Sequence, residues 1–158
     1  MNFYNGYSPA ERAKKLAALH RLYPNHSHPY YQPPCHMCGD PTAKVQPHDE
    51  DYAEPYRWER PAIYAVCATC HARLHRRFNS PYSWLAFKMH LQRGGFGSDL
   101  RVHAVARAVA RLAKRLESGE PFPLPLLRDR KPGLTGAEWW AVLSTDIACR
   151  DHPSGRPR

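Results

Sequence analysis

The sequence predicts a small α+β fold in which a short cysteine-bearing module is flanked by α-helices. Three observations carry this expectation. Two C-x-x-C pairs, Cys35–Cys38 and Cys67–Cys70, are separated by 28 residues and bracket one compact segment. Sixteen prolines and nine glycines punctuate the 158 residues, so the elements between them are short. Capping signals and apolar residues at helical spacing mark helices outside that segment.

Taken in order, the first helix opens at Ser8-Pro9-Ala10-Glu11, with Ser8 as N-cap, Pro9 at the first helical position and Glu11 closing a capping box. It runs to about Leu22 and stops before Pro24, and a proline-rich loop completes an N-terminal unit, residues 1–34. Residues 35–80 are the cysteine module. Asn79-Ser80-Pro81 starts a second helix, stopped by Gly94-Gly95. A third is expected from Ser98 or Asp99 to about Glu117. Val102, Val105, Val109, Leu112 and Leu116 share one of its faces, and Arg107, Arg111, Lys114 and Arg115 the opposite one. These two helices make up a region spanning residues 81–117. Residues 118–158 read as a proline-rich linker, a short helix opened by Thr135 and Glu138 that carries Trp139 and Trp140, and a disordered tail from Asp151.

The net charge is +9. Residues 35–80 balance six basic against six acidic side chains, whereas residues 81–119 hold seven basic and two acidic ones. A concentrated positive region fits a polyanion, most often nucleic acid; a solvated basic surface is the alternative. No apolar run approaches the ~20 residues of a membrane span. The stretch MNFYNGYSPAERAKK lacks the apolar core of a secretory signal, so the expectation is a soluble cytoplasmic protein with reduced thiols.

In that setting paired cysteines point to metal rather than to disulfides. Each C-x-x-C knuckle can place two thiolates on one ion. Four thiolates from Cys35, Cys38, Cys67 and Cys70 close a tetrahedral zinc shell with no open position, a structural site. A pair of redox dithiols is the alternative. The same module carries His48 in the inter-knuckle run Pro47-His48-Asp49-Glu50-Asp51, and His71 and His75 just after Cys70. His71 and His75 are i, i+4 and share a face if a helix starts at the second knuckle. Three such histidines can hold a second divalent ion with positions left for water and phosphate. The alternative is that they only pack beside the zinc.

Together, Cys35-x2-Cys38, His48-Asp49-Glu50-Asp51-Tyr52-x2-Pro55 and Cys67-x2-Cys70-His71-x3-His75 resemble the zinc-containing branch of the HNH (His-Me finger) endonucleases, common in phage and mobile-element proteins. The resemblance covers residues 35–75. It implies a ββα-metal finger braced by zinc, with His48, His71 and His75 holding a catalytic Mg2+, Mn2+ or other divalent ion and double-stranded DNA as substrate. The position of the family's general-base histidine is occupied here by Asp49, a weaker base that fits better as a metal ligand. Asp49, Glu50 and Asp51 also crowd negative charge where a phosphate would arrive, unless a cation neutralises them. An insertion, Arg57-Trp58-Glu59-Arg60-Pro61, lengthens the hairpin arm.

Arg73, Arg76 and Arg77 flank His75 and would contact backbone phosphates of a nuclease substrate, with the Arg107, Arg111, Lys114 and Arg115 face holding the duplex. His20, His26, His28, His36, His90 and His103 are expected at the surface or in loops, His36 as a neighbour of the zinc shell. Trp139 and Trp140 are expected to pack, and Cys149 has no assigned role. The reading is a DNA-acting zinc protein working as a metal-dependent endonuclease. The rivals are a finger that has lost its base and docks on DNA or a protein partner, and a purely structural zinc subunit.

Overall fold

The structure is a computed structural model that describes residues 4, 7–60, 62–77 and 79–119. The linker, the Trp139–Trp140 helix, Cys149 and the tail expected beyond residue 119 lie outside the described residues. Within them the chain is a mixture of four α-helices and one two-stranded antiparallel sheet.

Helix α1 (Pro9–Leu22) begins where its capping signal lies, and both arms of the box form. Ser8 Oγ accepts from the Glu11 N–H at 3.2 Å, and the Ser8 N–H donates to Glu11 Oε2 at 2.8 Å. Two 3-10 turns, Pro24–His26 and Pro29–Tyr31, carry the proline-rich loop to the first knuckle. There the Gly39 N–H donates to the Cys35 carbonyl at 2.8 Å, and Gly39 adopts φ 72°, a conformation that costs an L side chain energy.

Strand β1 (Val45–Asp49) pairs with β2 (Ile63–Cys67) in a register that sets Val45 opposite Cys67 and His48 opposite Tyr64. Every residue of β2 is buried. Helix α2 (Ala68–Arg76) follows β2 without a loop, Cys67 being both the last strand residue and the helix N-cap. The sheet, α2, and Trp84, Phe87 and Leu91 of helix α3 (Pro81–Gln92) enclose the main core around Leu74.

The last element differs from its expected start. Residues Gly97–Arg101 form a 3-10 turn, and helix α4 (His103–Glu117) begins only after Val102. Asp99 folds back to accept from the Phe96 N–H at 2.7 Å and from His90 at 3.1 Å, which turns the chain before α4 can start. Val102 is therefore a helix cap 57% exposed, not part of the apolar face. Val109 and Leu112 are buried and pack with Ala86 of α3, while Arg107, Arg111, Lys114 and Arg115 are exposed. Two histidines expected at the surface are buried: His28 among Tyr23 and Tyr30, and His90 against Asp99. No helix among the described residues is long and apolar enough to cross a membrane.

Candidate metal centre and adjoining cleft

The two knuckles meet. The sulfurs of Cys35, Cys38, Cys67 and Cys70 all lie within 4.8 Å of one another, and three of the four residues are buried. Four ligands ~2.3 Å from one ion would stand ~3.8 Å apart, so the cluster fits a tetrahedral ion such as zinc. The Cys67 N–H donates to Cys35 Sγ at 3.3 Å. The hydrogen bond with Cys38 holds the Cys35 thiol below its ordinary pKa and those with Cys35, Cys38 and Cys70 lower Cys67, whereas hydrogen bonding to Cys35 raises Cys38 and Cys70. A cation among the sulfurs favours deprotonation of all four. Gly97 closes the lid of this cage: a Cβ there would stand 3.0 Å from both Cys67 Sγ and Cys70 Sγ. His36 Nδ1 accepts from the Ala65 N–H at 3.1 Å and so ties the first knuckle to β2.

A second cluster stands beside the first. β1 carries His48 one residue before its end while α2 presents His71 and His75 one turn apart, and one nitrogen from each of the three lies within 4.8 Å of the others. His71 Nε2 and His75 Nε2 are 2.8 Å apart, and Gln46 engages the other nitrogen of His71. Burial, reinforced by neighbouring His48, lowers His71 to about 3 and His75 to about 4. Both rings are therefore neutral at pH 7 and keep the lone pairs a cation needs. His48 is 2% exposed, and its Nε2 lies 2.6 Å from Glu50 Oε1, the carboxylate–histidine pairing that orients metal-binding imidazoles.

Asp49 stands outside this cluster. Its Oδ1 is 2.7 Å from Lys15 Nζ, and the Lys15 side chain is completely buried. Burial raises the Asp49 carboxyl above its usual range and Lys15 opposes that rise. The whole acidic run is neutralised in this way, each carboxylate by a cation from a different segment. Glu50 Oε2 pairs with Arg77 Nη2 at 3.0 Å, and Asp51 accepts from Arg57 Nε at 3.1 Å. Burial alone would raise Glu50, but the hydrogen bond and charge of His48 and the charge of Arg77 bring it down to about 2. The inserted arm thus supplies Arg57 to Asp51, and Trp58 whose ring lies 5.3 Å from Lys15 Nζ.

Arg77 is consequently not a surface cation. It is 2% exposed and reaches inward to Glu50 and to the Tyr4 hydroxyl, to which it donates at 2.6 Å, so it cannot meet a phosphate as the sequence led us to expect. Arg73 is half-buried and donates to Ser83 Oγ at 2.8 Å, fastening α2 to α3. Arg76 and the four basic residues of α4 remain exposed. Lys15 and Tyr4 carry the site without having been singled out from sequence, and Glu50 had been read only as negative charge beside the phosphate. One signal did exist: Lys15 shares the inward helical face of Ala18 and Leu19, and a lysine on an apolar face needs a buried partner.

Between α1 and the histidine cluster lies a cavity of ≈ 520 Å3. His48, His71 and His75 form its floor, Leu16 and Arg12 part of the α1 wall, and Tyr31 and Tyr52 further walls. Comparison with models of protein families, with curated proteins and with solved structures finds no match to this chain.

Proposed function

We propose that this protein is a divalent-metal-dependent DNA endonuclease of the HNH type, with the four cysteines holding a structural zinc. The observation that carries the reading is the convergence of His48, His71 and His75, three imidazoles at the floor of an open cleft and without a carboxylate in their set. A divalent ion held there would supply activation of water and neutralisation of phosphate charge. Imidazole donors favour Zn2+ or Ni2+ over Mg2+ and Mn2+, which prefer oxygen. Glu50 fixes the His48 ring, Arg77 and Tyr4 fix Glu50, and Gln46 fixes His71, so the ligand set is held by partners outside it. The exposed Arg76 and the α4 arginines and lysine supply sequence-independent attraction to the DNA backbone.

The test is conversion of supercoiled plasmid to open circle with Mg2+, Mn2+ or Ni2+, beside a His75→Ala control that retains all four cysteines. Metal-dependent nicking lost in the control supports the endonuclease. No cleavage of plasmid or of single-stranded DNA by folded, zinc-loaded protein refutes it.

A second reading is favoured by one observation, the Lys15–Asp49 pair. With the residue at the general-base position committed to a buried lysine, the same fold would serve as a module that binds DNA or a protein partner without cutting. Salt-sensitive gel shift without nicking would identify it.

A further inference from the structure

We infer that the cleft between α1 and the histidine cluster receives one unpaired nucleotide, so that the substrate is single-stranded or locally opened DNA rather than intact duplex. The inference rests on the endonuclease reading and narrows its substrate. A volume of ≈ 520 Å3 falls in the ~300–1,000 Å3 range of cavities that enclose a small ligand. That suits a single nucleotide and not the broad side of a double helix.

The lining points the same way. The α1 wall presents Ala13, Leu16 and Leu19, and Leu16 is 49% exposed although it borders the cleft. Tyr31 and Tyr52 add aromatic surface. A duplex offers such walls only sugars and charged phosphates, because its base faces are stacked on one another. An unpaired base offers an apolar π-face, for which aromatic and aliphatic walls are the recurrent partner in single-strand sites.

Charge complements this. Arg12 lines the same cleft as His75 and Tyr52. It stands where the phosphate attached to an inserted base would lie. The acidic run beside the cleft does not repel that phosphate, because Lys15, Arg77 and Arg57 neutralise Asp49, Glu50 and Asp51.

The experiment measures fluorescence anisotropy of the full-length, zinc-loaded protein with a labelled oligothymidine of about 8 nucleotides, within the ~4–16 nucleotide footprint of single-strand sites. A fully paired hairpin of equal charge is measured in the same salt, and each is also assayed for cleavage. The expected result is tighter binding of the single strand by about tenfold or more. Leu16→Asp, an exposed position that should leave melting and zinc content unchanged, should weaken that binding about tenfold; Tyr31→Ala should do the same by removing a stacking surface. Equal or tighter binding of the hairpin, or unchanged single-strand affinity in Leu16→Asp, overturns the inference. If the hairpin is bound and nicked while the oligothymidine is not, the endonuclease stands and the unpaired nucleotide falls. If folded protein engages neither, both fall.

Discussion

Lys15 on the first helix and Asp49 at the end of the first strand form a buried ion pair, 2.7 Å from Nζ to Oδ1, that locks α1 onto the cysteine module. The ammonium also donates to the Asp51 carbonyl at 2.6 Å. Removing one partner strands a charge in the interior, where the loss is ~3–5 kcal/mol. Lys15→Met should therefore lower stability by that amount in urea unfolding with zinc present. The double variant Lys15→Met/Asp49→Leu should recover most of it. A single-variant loss below ~1 kcal/mol would show that the pair does not hold α1 in place.

Chelation probes the cysteine cage. A module whose core gathers round Cys35, Cys67 and Cys70 would depend on a zinc ion held by those sulfurs, since structural zinc contributes an apparent ~10–16 kcal/mol in small domains. Stripping zinc should abolish near-ultraviolet circular dichroism from the buried Trp84 and Tyr64, and adding zinc back should restore it. A spectrum indifferent to chelation would contradict a structural metal.

Gly97 supplies a finer test of the same cage. An alanine Cβ 3.0 Å from two sulfurs must push the turn before α4 away from the knuckle. Gly97→Ala should destabilise the protein by ~1–3 kcal/mol and speed zinc transfer to a chromogenic chelator. Unchanged transfer kinetics would mean that this turn does not cover the ion.

Acid should unfold the protein earlier than an ordinary carboxylate-driven transition. His71 and His75 titrate at about 3 and about 4 when folded, whereas an unfolded histidine takes up its proton near ~6.5. Between those values the unfolded chain binds more protons, so stability falls as pH drops from ~6.5 towards 4. Glu50, held at about 2 when folded, extends the loss below ~4.5 in the same direction. His71→Gln/His75→Gln should flatten the upper part of the profile, read as urea midpoints between pH 4 and 7. An unaltered slope would remove these imidazoles as its cause.

The features legible in the sequence are those whose cause is local. The Ser8/Glu11 box spans four residues and formed as expected; Pro81 begins α3, and the chain turns at Gly94 after it. The C-x-x-C pairs and the His71/His75 spacing are likewise short-range patterns, and they brought the right atoms together. What the sequence hid was pairing across distance. Arg77 read as a phosphate contact because its partners, Glu50 and Tyr4, lie 27 and 73 residues away. His90 read as a loop histidine because nothing near it announces that Asp99 returns to meet it and that Gly95 leaves room for its ring. Val102 obeyed the helical period yet became a cap, since the Asp99 turn displaced the start of α4. The acidic run looked hostile to phosphate until three cations from three segments were seen to cover it.

The account turns on whether His48, His71 and His75 hold a second ion, and native mass spectrometry of the zinc-loaded protein counts ions directly. Two zinc ions per chain are expected, falling to one in His75→Ala with the fold intact. A wild-type chain that carries only one, or a His75→Ala chain that still carries two, would contradict the metal centre on which the proposed chemistry depends.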